Sequence, residues 1–225
     1  MQNVGAKPCA IAQQTRRVGQ TDIKVGRISL GCSAIANMYV DVSEEAAAAL
    51  LDHAWARGIR YFDTAPHYGR GRSEERVGRF LRQKPRNEFR ISTKVGRLLT
   101  PGVEMAEADG FLNPLPNNMR YDYSGAGIEA SLEGSCKRLG VERVDVVYVH
   151  DIGTMTHGAA NAEHMRDLME TGLPRLRELK SSGRIGAYGL GVNECEVCLD
   201  VLSSQPLDVI LLAGRWTLLD RSAEA

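Results

Sequence analysis

The chain has 225 residues, a length that fits one domain. Its 28 basic and 28 acidic side chains give a formal net charge of zero at pH 7. No general attraction to nucleic acid or to an anionic membrane surface is therefore expected. No apolar stretch reaches the roughly 18 residues that a membrane span needs. These properties predict a single soluble domain with neither a nucleic-acid nor a membrane partner.

The first 21 residues contain no acidic side chain and lack the apolar core of a secretory signal. We predict a frayed N-terminal extension over residues 1–16, with the domain itself over residues 17–225. The five cysteines are odd in number and scattered, which favours the reducing cytoplasm over a disulfide framework. Cys195 and Cys198 form a C-x-x-C without a second ligand pair, so we predict helical cysteines and no metal site.

Short β-rich runs alternate with segments of helical periodicity along the chain. The predicted strands cover residues 27–34, 60–65, 89–95, 144–151, 186–192 and 208–216. The predicted helices cover residues 43–58, 73–82, 126–140, 173–183 and 195–205. Ser43 begins the first helix as an N-cap. Gly58, Gly140 and Gly183 stand where a left-handed residue ends a helix.

Six strands separated by helices indicate a parallel sheet, because each parallel connection needs a crossover. Both a (β/α)₈ barrel and an open doubly wound sheet fit this α/β pattern. The doubly wound alternative calls for G-x-G-x-x-G after its first strand, and GCSAIANMY lacks that spacing. We therefore predict the barrel. Residues 100–125 form a Pro/Gly/Asn-rich excursion of a length typical of functional or mobile loops.

Polar side chains follow several predicted strands at the point where each strand ends. The carboxyl ends of barrel strands meet on one face, which carries the active site in enzymes of this architecture. The polar residues at these ends are Asp63, Tyr68, Lys94, His150, Asp151, Asn193 and Glu194. Lys94, one strand away, is the natural counter-ion of Asp63, whose charge is costly at a buried strand end without a partner.

Four of these groups suit proton chemistry. A lysine cation favours the phenolate of a nearby tyrosine, so we predict that Lys94 lowers the pKa of Tyr68. Asp63 would keep Lys94 charged, and His150 would donate a hydrogen bond to a substrate oxygen. Such a set suits proton transfer coupled to hydride transfer with a nicotinamide. Taken singly, each residue has a structural reading, such as a salt bridge or a surface tyrosine. Four compatible groups on successive strand ends favour catalysis.

The remaining histidines are interpreted more simply. His67, His157 and His164 lack convergent partners in the pattern, so we interpret them as solvated or packing residues. His53, inside an alanine-rich helix, is interpreted as a residue on the helix face.

The motif YFDTAPHYGRGRSEERVGRFL resembles the signature of the aldo-keto reductase family. The resemblance continues through ISTKVGR, RYDYSGAGIEASLEGSCKRLGVERVDVVYVHD and LPRLRELKSSGRIGAYGLGVNE, and it covers roughly residues 17–220. The DYS and LLAGRWTLLD stretches are most similar to the branch of aldose 1-dehydrogenases and pyridoxal 4-dehydrogenases. The resemblance implies an aldo-keto reductase barrel with NADP or NAD as cofactor.

The family's catalytic tetrad of Asp, Tyr, Lys and His falls on four residues of this sequence, namely Asp63, Tyr68, Lys94 and His150. Asn193 is carried over as a residue that binds the nicotinamide carboxamide.

The sequence also departs from the family pattern. The Ser-Asn that often holds the carboxamide reads Asn193-Glu194, and the family's glutamine on strand six is Ala213. Trp216 is expected near the substrate mouth. The chain stops at Ala225, just past strand six, so we expect a barrel truncated after about six strands.

The sequence thus predicts an oxidoreductase that interconverts an alcohol and a carbonyl, with oxidation of an aldose at C1 to a lactone as the expected reaction. A general aldehyde or ketone reductase is the near alternative. A non-catalytic truncated barrel or a nucleotide-sensing subunit is the alternative from another class. The expected substrates are small sugars, aldehydes or alcohols. Open strand edges predict self-association of this chain.

Overall fold

The computed structural model describes residues 9–224. Within this range the strands are β1 (Thr15–Arg17), β2 (Lys24–Gly26), β3 (Leu30–Gly31), β4 (Tyr61–Asp63), β5 (Arg90–Val95), β6 (Arg97–Pro101), β7 (Glu107–Ala108), β8 (Phe111–Leu112), β9 (Asn117–Tyr121), β10 (Val144–His150), β11 (Ile185–Val192) and β12 (Val209–Leu212). The α-helices in the same range are α1 (Ala10–Gln13), α2 (Glu44–Ala56), α3 (Arg72–Leu81), α4 (Gly125–Leu139), α5 (Thr154–His157), α6 (Asn161–Asp167), α7 (Leu173–Ser181) and α8 (Cys195–Leu202).

The centre of the fold is a parallel sheet in the order β12-β11-β10-β5-β4-β3. This order follows the chain without reversal, as in a (β/α) barrel, whereas a doubly wound sheet reverses direction at a switch point. The predicted α/β architecture, a barrel represented by six strands in residues 9–224, is confirmed. We call the carboxyl ends of these strands and the loops that follow them the rim, and the opposite end the floor.

The core surrounds the central strand β10, all seven residues of which are buried. On β10, Val147 and Val149 face the helices and join the main apolar cluster. Val146 and Tyr148 face the barrel interior, where they form a smaller cluster with Ala187. This alternation follows from the two-residue period of a strand. It explains why the strands read as continuous apolar runs, since both faces are covered.

All five predicted helices are present, with ends within a few residues of the prediction. The Ser43 hydroxyl accepts a hydrogen bond from the Ala46 N–H at 3.1 Å, which confirms the predicted cap. Gly140 ends α4 at φ 68°, in the left-handed region. The segment between β10 and α7 adds α5, α6 and a π-helical turn, Leu168–Gly172, which the pattern did not indicate.

Two predicted strands are much shorter than expected. The strand predicted over residues 27–34 is reduced to Leu30–Gly31, and the one predicted over 208–216 ends at Leu212. Gly214 lies in the left-handed region at φ 74°, which ends the extended conformation. The Thr217 hydroxyl then accepts hydrogen bonds from two backbone N–H groups of the following turn.

The N-terminal segment closes the floor. β1 and β2 form an antiparallel hairpin, and α1 precedes it. Val18 and Ile23 of the hairpin turn pack against the interior cluster of β10 and β11. The prediction of a frayed extension is therefore wrong for residues 9–16. Its remaining part, residues 1–8, lies outside the described residues.

The excursion after β5 is ordered by its own strands. β6 pairs with β9 in antiparallel register, and β7 pairs with β8. Phe111 of β8 is 3% exposed, and it forms an isolated bridge with Met38, in the loop after β3. The predicted loop is thus a pair of nested hairpins fixed to a neighbouring loop of the rim.

None of the helices within residues 9–224 is both long enough and apolar enough to cross a membrane.

Candidate active site

The four residues predicted for catalysis meet at the rim. Asp63 is the last residue of β4, Lys94 the penultimate residue of β5, and His150 the last residue of β10. Tyr68 begins the 3₁₀ turn in the loop after β4. Because β4, β5 and β10 are adjacent in the sheet, residues far apart in sequence become neighbours here.

Asp63 and Lys94 form a tight ion pair. The Lys94 Nζ lies 2.6 Å from the Asp63 Oδ2 and also donates to the Thr64 carbonyl at 3.0 Å. The second carboxylate oxygen accepts from the Ser92 hydroxyl at 2.6 Å. Burial alone would lower the pKa of Lys94, but the Asp63 carboxylate and the Tyr68 phenol outweigh it, and the pKa lies above its ordinary value. Lys94 is therefore a cation at neutral pH.

Tyr68 lies directly against this cation. The Lys94 Nζ is 4.7 Å from the centroid of the Tyr68 ring. Burial raises the pKa of Tyr68, and the nearby Lys94 lowers it by less, so the net direction is upward. The prediction that Lys94 lowers the pKa of Tyr68 is correct for the contribution of Lys94, but it is wrong for the net shift, because burial outweighs that contribution. The sequence does not reveal how deeply the phenol is buried. Tyr68 is a protonated phenol at neutral pH.

His150 completes the group. Its ring stands edge-on to that of Tyr68, with centroids 5.9 Å apart and planes at 88°. Burial, together with the cations Arg97 and Lys94, places the pKa of His150 well below its ordinary value, so the imidazole is neutral. The Tyr123 hydroxyl donates to the His150 carbonyl at 2.7 Å and fixes the end of the strand.

His67 is a member of the site that the sequence pattern does not indicate. Its ring centroid is 5.7 Å from that of His150 and 6.2 Å from that of Tyr68. Phe111, delivered by the excursion, meets His67 edge-on at 5.4 Å. Burial lowers the pKa of His67 to about 4. The interpretation of His67 as a residue without convergent partners is wrong. Its position immediately before Tyr68 was the signal that could have indicated it.

The other two histidines also have partners. The His157 Nε2–H donates to the Tyr123 hydroxyl at 2.8 Å, because that hydroxyl gives its one hydrogen to the His150 carbonyl. The His157 ring centroid lies 4.4 Å from that of His164. Tyr121 meets His157 edge-on at 4.6 Å. These are packing residues, as interpreted, but they form one cluster behind His150. His53 is exposed on α2, as expected.

The loop that carries Tyr68 depends on unusual backbone angles. Gly69, Arg70 and Gly71 all have positive φ, at 59°, 52° and 105°. A Cβ on Gly69 would lie 2.7 Å from the Ala36 carbonyl oxygen, so only glycine fits there. This explains the glycine that directly follows Tyr68 in the sequence.

The next helix is held under the loop by a buried carboxylate. Glu74, in the first turn of α3, is fully buried and accepts hydrogen bonds from the Thr93 hydroxyl and the Arg138 guanidinium, both at 2.6 Å. The acidic start of this helix therefore joins α3 to β5 and α4, and α3 in turn supports the loop.

Asn193 lies one residue beyond β11, exposed at the rim. Its side-chain Nδ2 donates to the Asp151 Oδ1 at 3.2 Å. Asp151 also pairs with the Arg97 guanidinium, and its Oδ2 lies 3.4 Å from the His150 Nε2. Asp151 thus lies between the side chains of Asn193 and His150 and contacts both.

The structure gives Glu194 a structural role. Its carboxylate accepts from the Met155 N–H at 2.9 Å and from the Thr154 hydroxyl at 3.0 Å, which joins the start of α5 to the end of β11. A cavity of about 630 Å³ lies between these segments, with Asn193, Arg215 and Asp220 in its lining. Trp216 directly follows Arg215, which lines this cavity, and its side chain is 60% exposed.

The donor set at this rim fits the nicotinamide end of a dinucleotide. An exposed primary amide, that of Asn193, can pair with a carboxamide through one donor and one acceptor. It stands beside a neutral imidazole and a protonated phenol. A comparable set of ligands for a metal ion is absent from the described part of the chain. Among residues 9–224 no group of three or more His, Cys, Asp or Glu side chains is placed to hold an ion.

Comparison with known proteins agrees with this geometry. The model of the aldo/keto reductase family matches residues 27–225. The fold and the rim define a protein of the α/β-barrel class, and the chain belongs to the aldo/keto reductase family.

Individual relatives are similar over most of the chain. The chain is 42% identical over 224 residues to pyridoxal 4-dehydrogenase of Microbacterium luteolum, covering 95% of this chain and 65% of that protein. It is 36% identical over 208 residues to D-threo-aldose 1-dehydrogenase of a Pseudomonas species, covering 89% of this chain and 60% of the relative. The chain therefore spans under two thirds of the length of these relatives.

A solved aldo-keto reductase of Bacillus halodurans, in its holo form, superimposes with a TM-score of 0.66 at 25% identity. The superposition covers 88% of this chain and 56% of that one.

Proposed function

We propose that the protein is an NAD(P)-dependent oxidoreductase that interconverts an alcohol and a carbonyl, with oxidation of an aldose at C1 to a lactone as its main reaction. The observation that carries this proposal is the assembly of Asp63, Tyr68, Lys94 and His150 at one rim, with the Lys94 Nζ 2.6 Å from Asp63 and 4.7 Å from the Tyr68 ring centroid. The pyridoxal and aldose dehydrogenases among its relatives support the substrate class.

Each of the four residues has a distinct role in this proposal. In oxidation the Tyr68 phenolate accepts the proton of the substrate hydroxyl, and in reduction the Tyr68 phenol donates its proton to the carbonyl oxygen. The neutral His150 imidazole orients the same oxygen by donating an N–H. Lys94 stabilises the phenolate that forms transiently, and Asp63 holds Lys94 in place and charged.

A bound nicotinamide supplies the hydride acceptor in oxidation and the hydride donor in reduction. Asn193 would hold its carboxamide beside the tetrad. Among the residues described, Phe111 and His67 cover Tyr68 from the outside and help to exclude water from it.

Carbonyl reduction is the second candidate, and a specific observation favours it. Burial raises the pKa of Tyr68, so the phenol carries its proton at neutral pH and is ready to act as an acid. An alcohol oxidation needs the phenolate and is favoured at alkaline pH. The two directions can therefore be distinguished by their pH profiles.

The five cysteines support a cytoplasmic location as part of the same proposal. All five are free thiols, as suits a reducing compartment.

The test uses the 225-residue chain, purified, with NAD⁺ and NADP⁺ and with L-fucose, other D-threo-aldoses and pyridoxal as substrates. The reduced nicotinamide is followed by absorbance, and the reverse reaction is followed with aldehydes. Tyr68→Phe is the negative control, because it keeps the ring and removes the proton carrier. Turnover by the wild type and its loss in the variant are expected. Cofactor binding without turnover on any substrate would favour the non-catalytic alternative instead.

A further inference from the structure

Asp151 is a charged residue of the rim that the proposed reaction leaves without a role. It follows His150 directly and has a φ of 44°, a left-handed conformation that costs free energy in a residue other than glycine. Its N–H donates to the Gly191 carbonyl at 2.9 Å, which ties it to β11. The backbone is therefore held in an unfavourable conformation that aims this carboxylate across the ends of two strands.

The carboxylate of Asp151 joins three side chains from three elements. Its Oδ2 pairs with the guanidinium of Arg97, at the start of β6, and lies 3.4 Å from the His150 Nε2. Its Oδ1 accepts a hydrogen bond from the Asn193 Nδ2 at 3.2 Å. Within residues 9–224, the Asn193 side chain makes this one hydrogen bond.

We propose that Asp151 is the positioning residue for the Asn193 amide. By accepting one of the two Nδ2 protons, it decides which edge of that amide faces the nicotinamide carboxamide. This inference rests on the proposed function, because it concerns the residue that would hold the nicotinamide.

The reason lies in the hydrogen-bonding rules of a primary amide. Asn193 can present its oxygen or its nitrogen on a given side, and the two orientations have nearly the same shape. A carboxylate only accepts, so beside Asp151 the nitrogen must point inward, and the oxygen and the second N–H are left for a ligand. Arg97 only donates, so it keeps the Asp151 carboxylate occupied on its other oxygen and in place.

Asp151→Asn reverses this arrangement without changing the shape. Arg97 needs an acceptor, so the new amide turns its oxygen to Arg97 and its NH₂ to Asn193, which must then present its own oxygen inward. Asn tolerates positive φ well, so the backbone is expected to keep its conformation.

The matched control is Asp145, at the other end of the same strand. It is buried, whereas Asp151 is half-buried, and it pairs with Arg86 at 2.8 Å and accepts from the Ile91 N–H at 2.9 Å. Asp145→Asn removes an ion-paired carboxylate as Asp151→Asn does, but at the floor, far along the strand from Asn193.

The experiment compares wild type, Asp151→Asn, Asp145→Asn and Asn193→Ala by titration calorimetry. The probes are NADH and NADPH, which carry the nicotinamide, and ADP-ribose and its 2′-phosphate, which lack it. We expect Asp151→Asn to weaken binding of the dinucleotides on the order of tenfold, the value of about one hydrogen bond. Binding of the ADP-ribose probes should stay within about twofold, since only the nicotinamide contact is lost.

The remaining variants sharpen the test. Asn193→Ala should show the same selective loss, and the double variant should lose no more than Asn193→Ala alone, because the two residues act as one unit. Asp145→Asn should leave both classes of probe unchanged.

A measurement without cofactor tests the geometry directly. In wild-type protein, one of the two Asn193 side-chain amide protons should exchange more slowly with solvent than the other by NMR, with Asn193→Ala used for the assignment.

The outcomes separate the two proposals. Equal exchange of the two amide protons, or an equal loss for both classes of probe in Asp151→Asn, overturns the role of Asp151 alone. A wild-type protein that binds none of the probes overturns the proposed function and this inference together.

Discussion

The two ends of the barrel sheet obey different structural rules. At the floor, positive φ angles are found at glycines, including Gly19, Gly58, Gly140 and Gly183. At the rim, residues other than glycine also adopt positive φ, namely Asn37, Tyr39, Arg70, Asp109, Asn113 and Asp151. Left-handed conformations cost free energy in residues with a Cβ, so the rim stores backbone strain that the floor avoids.

Hydrogen bonding shows the same difference. Within residues 9–224, the buried side-chain nitrogens without a hydrogen-bond partner all belong to rim residues: His67, Arg70, Arg72, Arg97 and His150. The floor carboxylate of Asp145 has a partner on each side, with Arg86 and the Ile91 N–H on one oxygen and Arg90 at 3.9 Å from the other. Stabilising contacts are therefore concentrated at the floor, and groups suited to bind or react are kept at the rim.

The largest expected difference is between two variants, one that replaces a phenol at the rim and one that replaces a phenol in the barrel interior. Tyr68→Phe should lower the turnover number by on the order of 10²–10⁴, the usual contribution of a general acid or base. Tyr61→Phe removes a buried phenol whose partner is the Tyr148 hydroxyl at 3.0 Å, inside the barrel. Its turnover should be close to that of wild type. Steady-state kinetics on both variants measures this, and equal losses would remove the distinction between the two phenols.

A second test concerns acid stability at the rim. Burial lowers the pKa of His67 to about 4, whereas in the unfolded chain it titrates near 6.5. Between these values the unfolded state binds more protons, so the free energy of unfolding should fall as the pH drops from about 6.5 to 4, by up to about 3 kcal/mol from this residue.

Urea denaturation at a series of pH values measures that slope. His67→Gln should flatten it, while His53→Gln, on an exposed face of α2, should not. The same slope in wild type and His67→Gln would show that other groups dominate acid unfolding. The charged groups around His67 are Arg97, Asp109, Arg70 and Lys94.

The third test sharpens the electrostatics of the rim. Lys94 lowers the pKa of Tyr68, so Lys94→Met should move the alkaline limb of the oxidation profile to higher pH. Asp63→Asn should move it in the opposite direction, because the Asp63 carboxylate raises the pKa of Tyr68 and Lys94 remains in this variant. The pH dependence of kcat is the measurement. A profile identical to wild type in Lys94→Met would assign the titration to another group.

The smallest expected effect lies at the floor. Asp145→Asn should lower the free energy of unfolding by about 1 to 2 kcal/mol, since a buried ion pair and a backbone hydrogen bond weaken together. Turnover should not change. A decrease in kcat with unchanged stability would contradict the assignment of Asp145 to structure.

The sequence predicted those features that depend on local pattern. Strand and helix order, the cap at Ser43 and the meeting of Asp63, Lys94 and His150 all follow from periodicity and from the geometry of parallel strands. The sequence predicts a loop for the excursion because its strands are two to five residues long and the segment is rich in Pro, Gly and Asn. Its order comes from pairing with distant segments such as Met38, which no local pattern reveals.

Burial is the other quantity that the sequence did not supply. The upward net direction of the Tyr68 pKa and the inclusion of His67 both depend on how many side chains cover the rim. Phe111 is one of these, and it arrives from 43 residues beyond Tyr68 along the chain. Desolvation of this kind is set by tertiary packing, so residue spacing alone predicts the partners of a charge better than its exposure to water.

The pairing of β6 with β9 has a consequence for how such barrels diversify. Arg97 stands opposite Tyr121, and the Asp122 N–H donates to the Gly96 carbonyl at 3.0 Å, so the excursion leaves the barrel and returns to it at a single point. A segment with joined ends can be lengthened, shortened or exchanged between related proteins without shifting the register of the strands on either side. The excursion can therefore be replaced by another segment, with different side chains packed over Tyr68, while the rest of the barrel stays unaltered.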